Sequence, residues 1–323
     1  MHIVTAALRN ARETLDIYWA LVRIMVPIAL AAEVLSRMGV IAEISPAFAP
    51  LMSYLGLPPE LGLAWLTGML VGIWGAVPLI FTLVPMSSLS AADVTVLSAL
   101  LLFAHGLPME QKIIQQAGPG MVVTTLLRIL GGLIYAFLLH RIFSATGWLS
   151  APVSPAWVPA SSTPDWPTFL IDLGETMVVM LLILVVLSWA LEILKATGLL
   201  GLMMKALSPF LRLAGIRGEA EHFTAVGLFL GISYGGGLLI REARRGGISP
   251  RQIFLSCVFM GFAHSVIEDT LLVAALGADL TSILAGRLIF AVAATAIVAA
   301  LLGALSDNRF FAWAFHEPKE TTA

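Results

Sequence analysis

Two decapeptides set inside apolar runs carry the residues of this 323-residue chain best suited to chemistry. The first, FAHGLPMEQK at 103–112, holds His105, Glu110, Gln111 and Lys112. The second, FAHSVIEDTL at 262–271, holds His264, Ser265, Glu268, Asp269 and Thr270. Ionisable groups inside a membrane span are costly and mark a pathway or a binding site by default. Imidazoles and carboxylates together can hydrogen-bond a polar solute, pass a coupling H+, hold Na+ or ligate a borderline divalent ion such as Fe2+. His264 and Glu268 stand four apart, which on an unbroken helix places them on one face; His105 and Met109 stand in the same relation. Gly106 and Pro108 weaken the first helix, because proline lacks the donor and clashes one turn back. A lone buried histidine is more simply a bond to a neighbouring helix. Two in matching positions, each followed by acids, argue for a site.

The match is part of a duplication. A shift of 159 positions carries His105 onto His264, Glu33 onto Glu192, Pro50 onto Pro209, Glu60 onto Glu219 and Arg128 onto Arg287. Gly56, Gly68, Gly72 and Gly118 fall on Gly215, Gly227, Gly231 and Gly277, and Ser90 falls on Ser249. Glu110 pairs with Asp269, which leaves Glu268 as an addition in the second copy. If the two decapeptides meet at an axis relating the copies, they bring together two imidazoles and three carboxylates.

The elements that must position these groups are membrane helices. The chain is 59% hydrophobic and 12% charged, against about 45–50% and about 25% in soluble domains. That composition excludes a soluble enzyme and a disordered chain. Eighteen basic against 20 acidic residues leave no cationic face for nucleic acid. One cysteine, Cys257, allows neither an internal disulfide nor a multi-thiolate metal centre. Neither HExxH nor GxSxG occurs, and the expectation is a protein that is not an enzyme. A span needs roughly 20 apolar residues, and the sequence predicts six, near 17–35, 93–116, 119–142, 170–194, 252–277 and 279–303. Two glycine-interrupted runs, 61–84 and 220–241, read as re-entrant hairpins, with ten full crossings as the alternative of the same parity, and each is preceded by a shorter mixed segment (40–57 and 199–217) suited to the interface. The expected fold is an all-α polytopic membrane protein: about six transmembrane helices, two re-entrant hairpins and interfacial helices. The segments are 1–16 at the N-terminus without a cleavable signal, a first repeat over 17–143, a Pro/Ser/Trp-rich loop over 144–168, a second repeat over 169–303, and a tail over 304–323.

Charge placement gives the repeats opposite senses. Between Lys195 and Gln252 lie Lys195, Lys205, Arg212, Arg217, Arg241, Arg244, Arg245 and Arg251, whereas the matching stretch from Ser36 to Asp93 has only Arg37. Basic loops stay cytoplasmic. The second region is therefore expected inside and the first outside, as in an inverted-topology repeat with its solute site near the midplane. Arg9, Arg12, Arg309 and Lys319 put both termini in the cytoplasm, and the loop 144–168 outside.

Other candidates are the hairpin tips. Trp74-Gly75-Ala76 in one copy and Ser233-Tyr234-Gly235-Gly236-Gly237 in the other could expose backbone N–H groups, with the Ser233 and Tyr234 hydroxyls beside Gly235. Arg128 and Arg287 within apolar spans are expected in ion pairs, and Glu60 and Glu219 as helix caps.

The stretch GISYGGGLLIRE (231–242), followed by FAHSVIEDTLL (262–272) and mirrored by FAHGLPMEQ (103–111), resembles the nucleoside-recognition, or Gate, family of membrane proteins. Its relatives include concentrative nucleoside transporters, the membrane part of ferrous-iron permeases and spore-maturation membrane proteins. The resemblance covers about 20–303 and implies two Gate repeats with solute held by hairpins and broken spans, which move as an elevator. It implies hairpin contacts at Ser233 and Tyr234, and broken-span contacts at His264, Glu268 and Asp269. No GxxxxGK[ST] occurs, so the GTPase of iron permeases is missing from this sequence. The expectation is a secondary transporter in a bacterial or archaeal cytoplasmic membrane, taking a small polar solute, with nucleoside-like molecules among the candidates, at His105, Glu110, Ser233, Tyr234, Gly235, His264, Glu268 and Asp269. No cofactor is expected beyond a coupling H+ or Na+; the partners are membrane lipid, the solute and, in an oligomer, a second copy, with no nucleic acid. Two alternatives stand beside it: a divalent-metal permease with His105, His264, Glu268 and Asp269 as ligands, and a membrane assembly factor that transports nothing.

Overall fold

In hydrocarbon every backbone N–H and C=O must find a partner within its own segment, and the apolar runs of this chain accordingly fold as helices. The computed structural model describes residues 2–153 and 165–316, and no β-strand is present among them, only isolated bridges at Ser90–Pro152 and Pro119–Phe315. The first half comprises α1 (His2–Arg37), α2 (Val40–Ile44), α3 (Ala49–Tyr54), α4 (Leu61–Val71), α5 (Ile73–Leu83), α6 (Ala91–Phe103), α7 (Leu107–Gln116) and α8 (Met121–Thr146). The second comprises α9 (Trp166–Ala196), α10 (Leu199–Leu213), α11 (Glu219–Leu230), α12 (Ile232–Arg244), α13 (Pro250–Ala263), α14 (Glu268–Ala275) and α15 (Arg287–Gly303), the last preceded by a π-helical turn, Thr281–Gly286. A short α16 (Asp307–Trp313) follows.

Five stretches among the described residues are long and apolar enough to cross a membrane: Ala91–Gln116, Met121–Thr146, Trp166–Val186, Pro250–Ala275 and Thr281–Gly303. They fall on five of the six expected spans. The remaining one, 17–35, lies within α1, several of whose side chains are outside the described set. Much of the expected loop 144–168 is likewise outside it; α8 continues to Thr146 and α9 begins at Trp166.

The apolar positions sort the spans into two kinds. In α6 every residue from Val94 to Phe103 is buried, and in α13 every one from Ile253 to Ala263. These two helices form the centre. By contrast α8 exposes Val122, Leu126, Leu130 and Ile134 at helical spacing, and α15 exposes Ile289, Ile297 and Leu301. Apolar stripes turned outward in this way suit contact with lipid chains. Helix α8 lies against both central helices. It can do so because Gly131 and Gly132 lack side chains: a Cβ would stand 2.6 Å from the Phe262 ring and 2.9 Å from the Phe103 Cβ.

The glycine-interrupted runs fold back on themselves. Helices α4 and α5, and likewise α11 and α12, pack against each other; a Cβ on Gly68 would lie 3.3 Å from that of Ala76. Each arm of the first pair has 11 residues, or about 16 Å of helix, roughly half a bilayer core. The turns fall at Gly72 (φ 121°) and Gly231 (φ 80°), in a region closed to most L-residues. This corrects the expected tips. Trp74-Gly75-Ala76 lies inside α5, and Gly235, Gly236 and Gly237 lie inside α12 with no exposed break. A triple glycine weakens a helix, but here the missing side chains admit neighbours: Gly236 lies under Ile113, and Gly235 faces Val226, Leu230 and Leu239.

Candidate functional site

The central helices stop at their histidines. Helix α6 ends at Phe103 and α7 starts at Leu107; α13 ends at Ala263 and α14 starts at Glu268. Each interruption contains one left-handed residue directly after the histidine, Gly106 at φ 55° and its repeat mate Ser265 at φ 47°. The four-residue spacing of His264 and Glu268 therefore does not place them on one helix face, because the helix is broken between them.

A break inside a span strips carbonyls of their helical donors. Two buried arginines supply replacements. Arg128 donates from Nε to Phe103 O (2.7 Å) and from Nη2 to His105 O (3.1 Å). Arg287 donates from Nε to Phe262 O (2.8 Å) and from Nη2 to His264 O (3.2 Å) and Leu102 O (2.7 Å). A cation at a helix C-terminus also opposes the negative end of the helix dipole. The expectation of ion pairs holds for Arg128, whose Nη1 meets Glu110 Oε2 at 2.7 Å. It does not hold in the same form for Arg287, whose Nη1 is buried without a hydrogen-bond partner.

The histidines meet across the centre. Their Nε2 atoms are 3.2 Å apart, with ring centroids at 4.8 Å. Each Nδ1 lies on the carbonyl four residues earlier, Leu101 O at 2.7 Å and Met260 O at 2.9 Å. A carbonyl oxygen only accepts, so each Nδ1 carries the proton and each Nε2 presents a lone pair when the ring is neutral. Around these lone pairs stand Glu110 Oε2, 3.3 Å from His264 Nε2, and Asp269 Oδ2, 3.4 Å from His105 Nε2. Arg128 Nη2 is 3.4 Å from His264 Nε2, and Ser233 donates to Glu110 Oε1 at 3.3 Å.

The expected site residues thus divide. His105, His264, Glu110, Asp269 and Ser233 come together. Gly235 does not: it lies within α12 against its own hairpin. Glu268 is only partly buried and its carboxylate takes a hydrogen bond from Trp74, away from the imidazole pair. The Tyr234 side chain is outside the described set. Among the expected caps, Glu60 makes no side-chain cap bond, and the N-cap position before Glu219 is occupied by Gly218. Glu33 pairs with Arg37 at 2.6 Å.

Two further groups of the decapeptides are not among the expected solute contacts. Gln111 and Thr270 are repeat mates, both buried, and Gln111 Nε2 and Thr270 Oγ1 lack partners, as does Asp269 Oδ2 by hydrogen-bond geometry. Their polarity inside an apolar span was the available signal. Buried polar atoms are nearly always paired, so unpaired ones suit a ligand or water.

Residues 177–280, from within α9 through α14, match the family model described as Gate, nucleoside recognition. An uncharacterized membrane protein of Bacillus subtilis (strain 168), YvoD, is 26% identical over 292 residues, which cover 87% of this chain and 90% of the relative. No solved structure matches.

Proposed function

We propose, from the Gate-type segment at 177–280 and the centre it helps to build, that this membrane protein is a secondary transporter of a small polar solute. The observation that carries the reading is the enclosed junction of two interrupted spans, where His105, His264, Glu110 and Asp269 converge. Interrupted helices at membrane depth are tolerated where they line a site, and they are a recurring way of building transporter binding sites. The nucleoside-recognition description of the matching family supports a nucleoside-like solute, whose hydroxyl and amide groups would suit the unpartnered atoms of Asp269, Thr270 and Gln111.

Contacts recurring at a spacing of 159 support a repeat. The left-handed residues Gly106 and Ser265, the turns at Gly72 and Gly231, and the Arg128 and Arg287 bonds all obey it. Ser90 and Ser249 each accept from the backbone N–H three residues on. With the basic residues concentrated in 195–252, we read the halves as inverted, the α4–α5 and α11–α12 pairs as re-entrant hairpins, and both termini as cytoplasmic. The two halves would then exchange access, and the buried acids would couple movement to H+ or Na+. The reading is tested by thermal unfolding of purified protein against nucleosides, organic acids and cations. One class should raise the midpoint in wild type and fail to do so in Asp269→Asn; no shift with any class counts against the reading.

A further inference from the structure

The geometry points to a binding site for one divalent transition-metal ion at the meeting of the two broken helices, with His105 Nε2, His264 Nε2 and Asp269 as ligands. This rests on the transport reading and names a metal ion, in place of a nucleoside-like molecule, as what the same centre holds. Two imidazole lone pairs facing each other at 3.2 Å repel unless an electron-pair acceptor lies between them, and a protein donor reaches one of the two, Arg128 Nη2 at 3.4 Å from His264 Nε2. Ligand atoms on a tetrahedral ion with bonds of about 2.0–2.1 Å lie about 3.3 Å from one another. The His105–His264 edge of 3.2 Å and the His105–Asp269 edge of 3.4 Å match that spacing. All three ligand atoms lie within 4.8 Å of one another, so the remaining edge closes with a small carboxylate movement.

The surroundings agree. Metal-bound histidines typically give their second ring N–H to a carbonyl or carboxylate, which fixes the tautomer; both histidines do so, to Leu101 O and Met260 O. Asp269 Oδ2 has no hydrogen-bond partner and is buried, as a reserved ligand would be. Glu110 is close to His264 but engaged by Arg128 and Ser233, so it neutralises the guanidinium and stands behind the ligands. The metal set therefore differs from the sequence-based one, with Glu268 outside it. Two neutral imidazoles and one carboxylate suit Zn2+, Fe2+, Co2+ or Mn2+ and not Mg2+ or Ca2+, which prefer oxygen alone.

The test uses the full chain in lipid nanodiscs, prepared without a polyhistidine tag and stripped with chelator. Co2+ serves as the probe, read by ligand-field absorption and by metal content per chain. One Co2+ per chain is expected, displaced by Zn2+ and unaffected by excess Mg2+. His105→Asn and His264→Asn should each weaken binding by on the order of 100-fold and Asp269→Asn by at least about tenfold, with Glu268→Gln unchanged. Binding that survives in the His105→Asn/His264→Asn double variant belongs to another histidine, His2, His140, His222 or His316, and overturns the inference. A second readout needs no variant: nitrogen NMR of the wild-type histidines should show two Nε2 signals moving together as Zn2+ is added. A pair that responds to pH alone and ignores Zn2+ holds a shared proton, which also overturns it. Metal binding without uptake of any solute would leave the site standing and remove the transport reading, whereas uptake without metal binding would do the reverse.

Discussion

The two halves solve one problem with acids of different length. In the first, Glu110 reaches Arg128 at 2.7 Å, and that arginine has every nitrogen bonded. In the second, the repeat-matched acid is Asp269, one methylene shorter; its Oδ2 lies near His105, and Arg287 Nη1 is left without a partner. Both arginines bond the carbonyls freed by a helix break, so that function is common to the halves. The difference between them separates scaffold from site. The closed pair stabilises a broken span, and the open one leaves a carboxylate and a guanidinium nitrogen available to a ligand.

The largest effect expected from this contrast is in the closed pair. Arg128→Met should cost about 3–5 kcal/mol, because it strands a buried Glu110 charge along with two carbonyls. Arg287→Met strands carbonyls but no closed ion pair, and should cost about 1–3 kcal/mol. Chemical unfolding in a fixed detergent measures both, and equal losses would break the contrast. Next, Asp269→Glu restores the missing methylene. It should close on Arg287, raise stability by about 1 kcal/mol and lower uptake at least tenfold. A drop in stability would mean that reach is not what keeps the pair open.

Smaller effects come from the breaks themselves. Ser265 holds a left-handed conformation that its mate Gly106 adopts without strain. Ser265→Gly should therefore gain, and Gly106→Ala lose, about 1 kcal/mol each, read as opposite shifts of the thermal midpoint. Glu268→Gln, touching neither imidazole, should stay within about 0.5 kcal/mol of wild type.

Much of the frame was legible from residue types. Five spans follow directly from apolar runs, and the 159-residue spacing alone aligns His105 with His264. Helix breaks were harder to locate. The run Gly235–Gly237 looked like a tip, yet its repeat mates are Ala76, Val77 and Pro78, none of which favours positive φ. Gly72 and Gly231 are glycines in both copies, so consistency between the halves would have selected them. The grouping of His264 with Glu268 failed for a related reason: it assumed an unbroken helix across Ser265, where no proline or glycine marks the interruption. The charge of Arg128 and Arg287 points to ion pairs, whereas their geometry is fixed by carbonyls, which composition does not display. Glu110 stands two residues from Lys112 in the sequence, and the packing of α7 against α4, α8 and α12 buries it.

On the proposed function, the junction of the broken spans is where solute is held and moved. Its most direct test is uptake into proteoliposomes, run for nucleosides, organic acids and divalent cations with wild type and Asp269→Asn side by side. The account predicts saturable uptake of one class by wild type, driven by a proton or sodium gradient and abolished in the folded variant. Uptake that is equal in the two proteins, or no uptake above empty liposomes for any class, would contradict it.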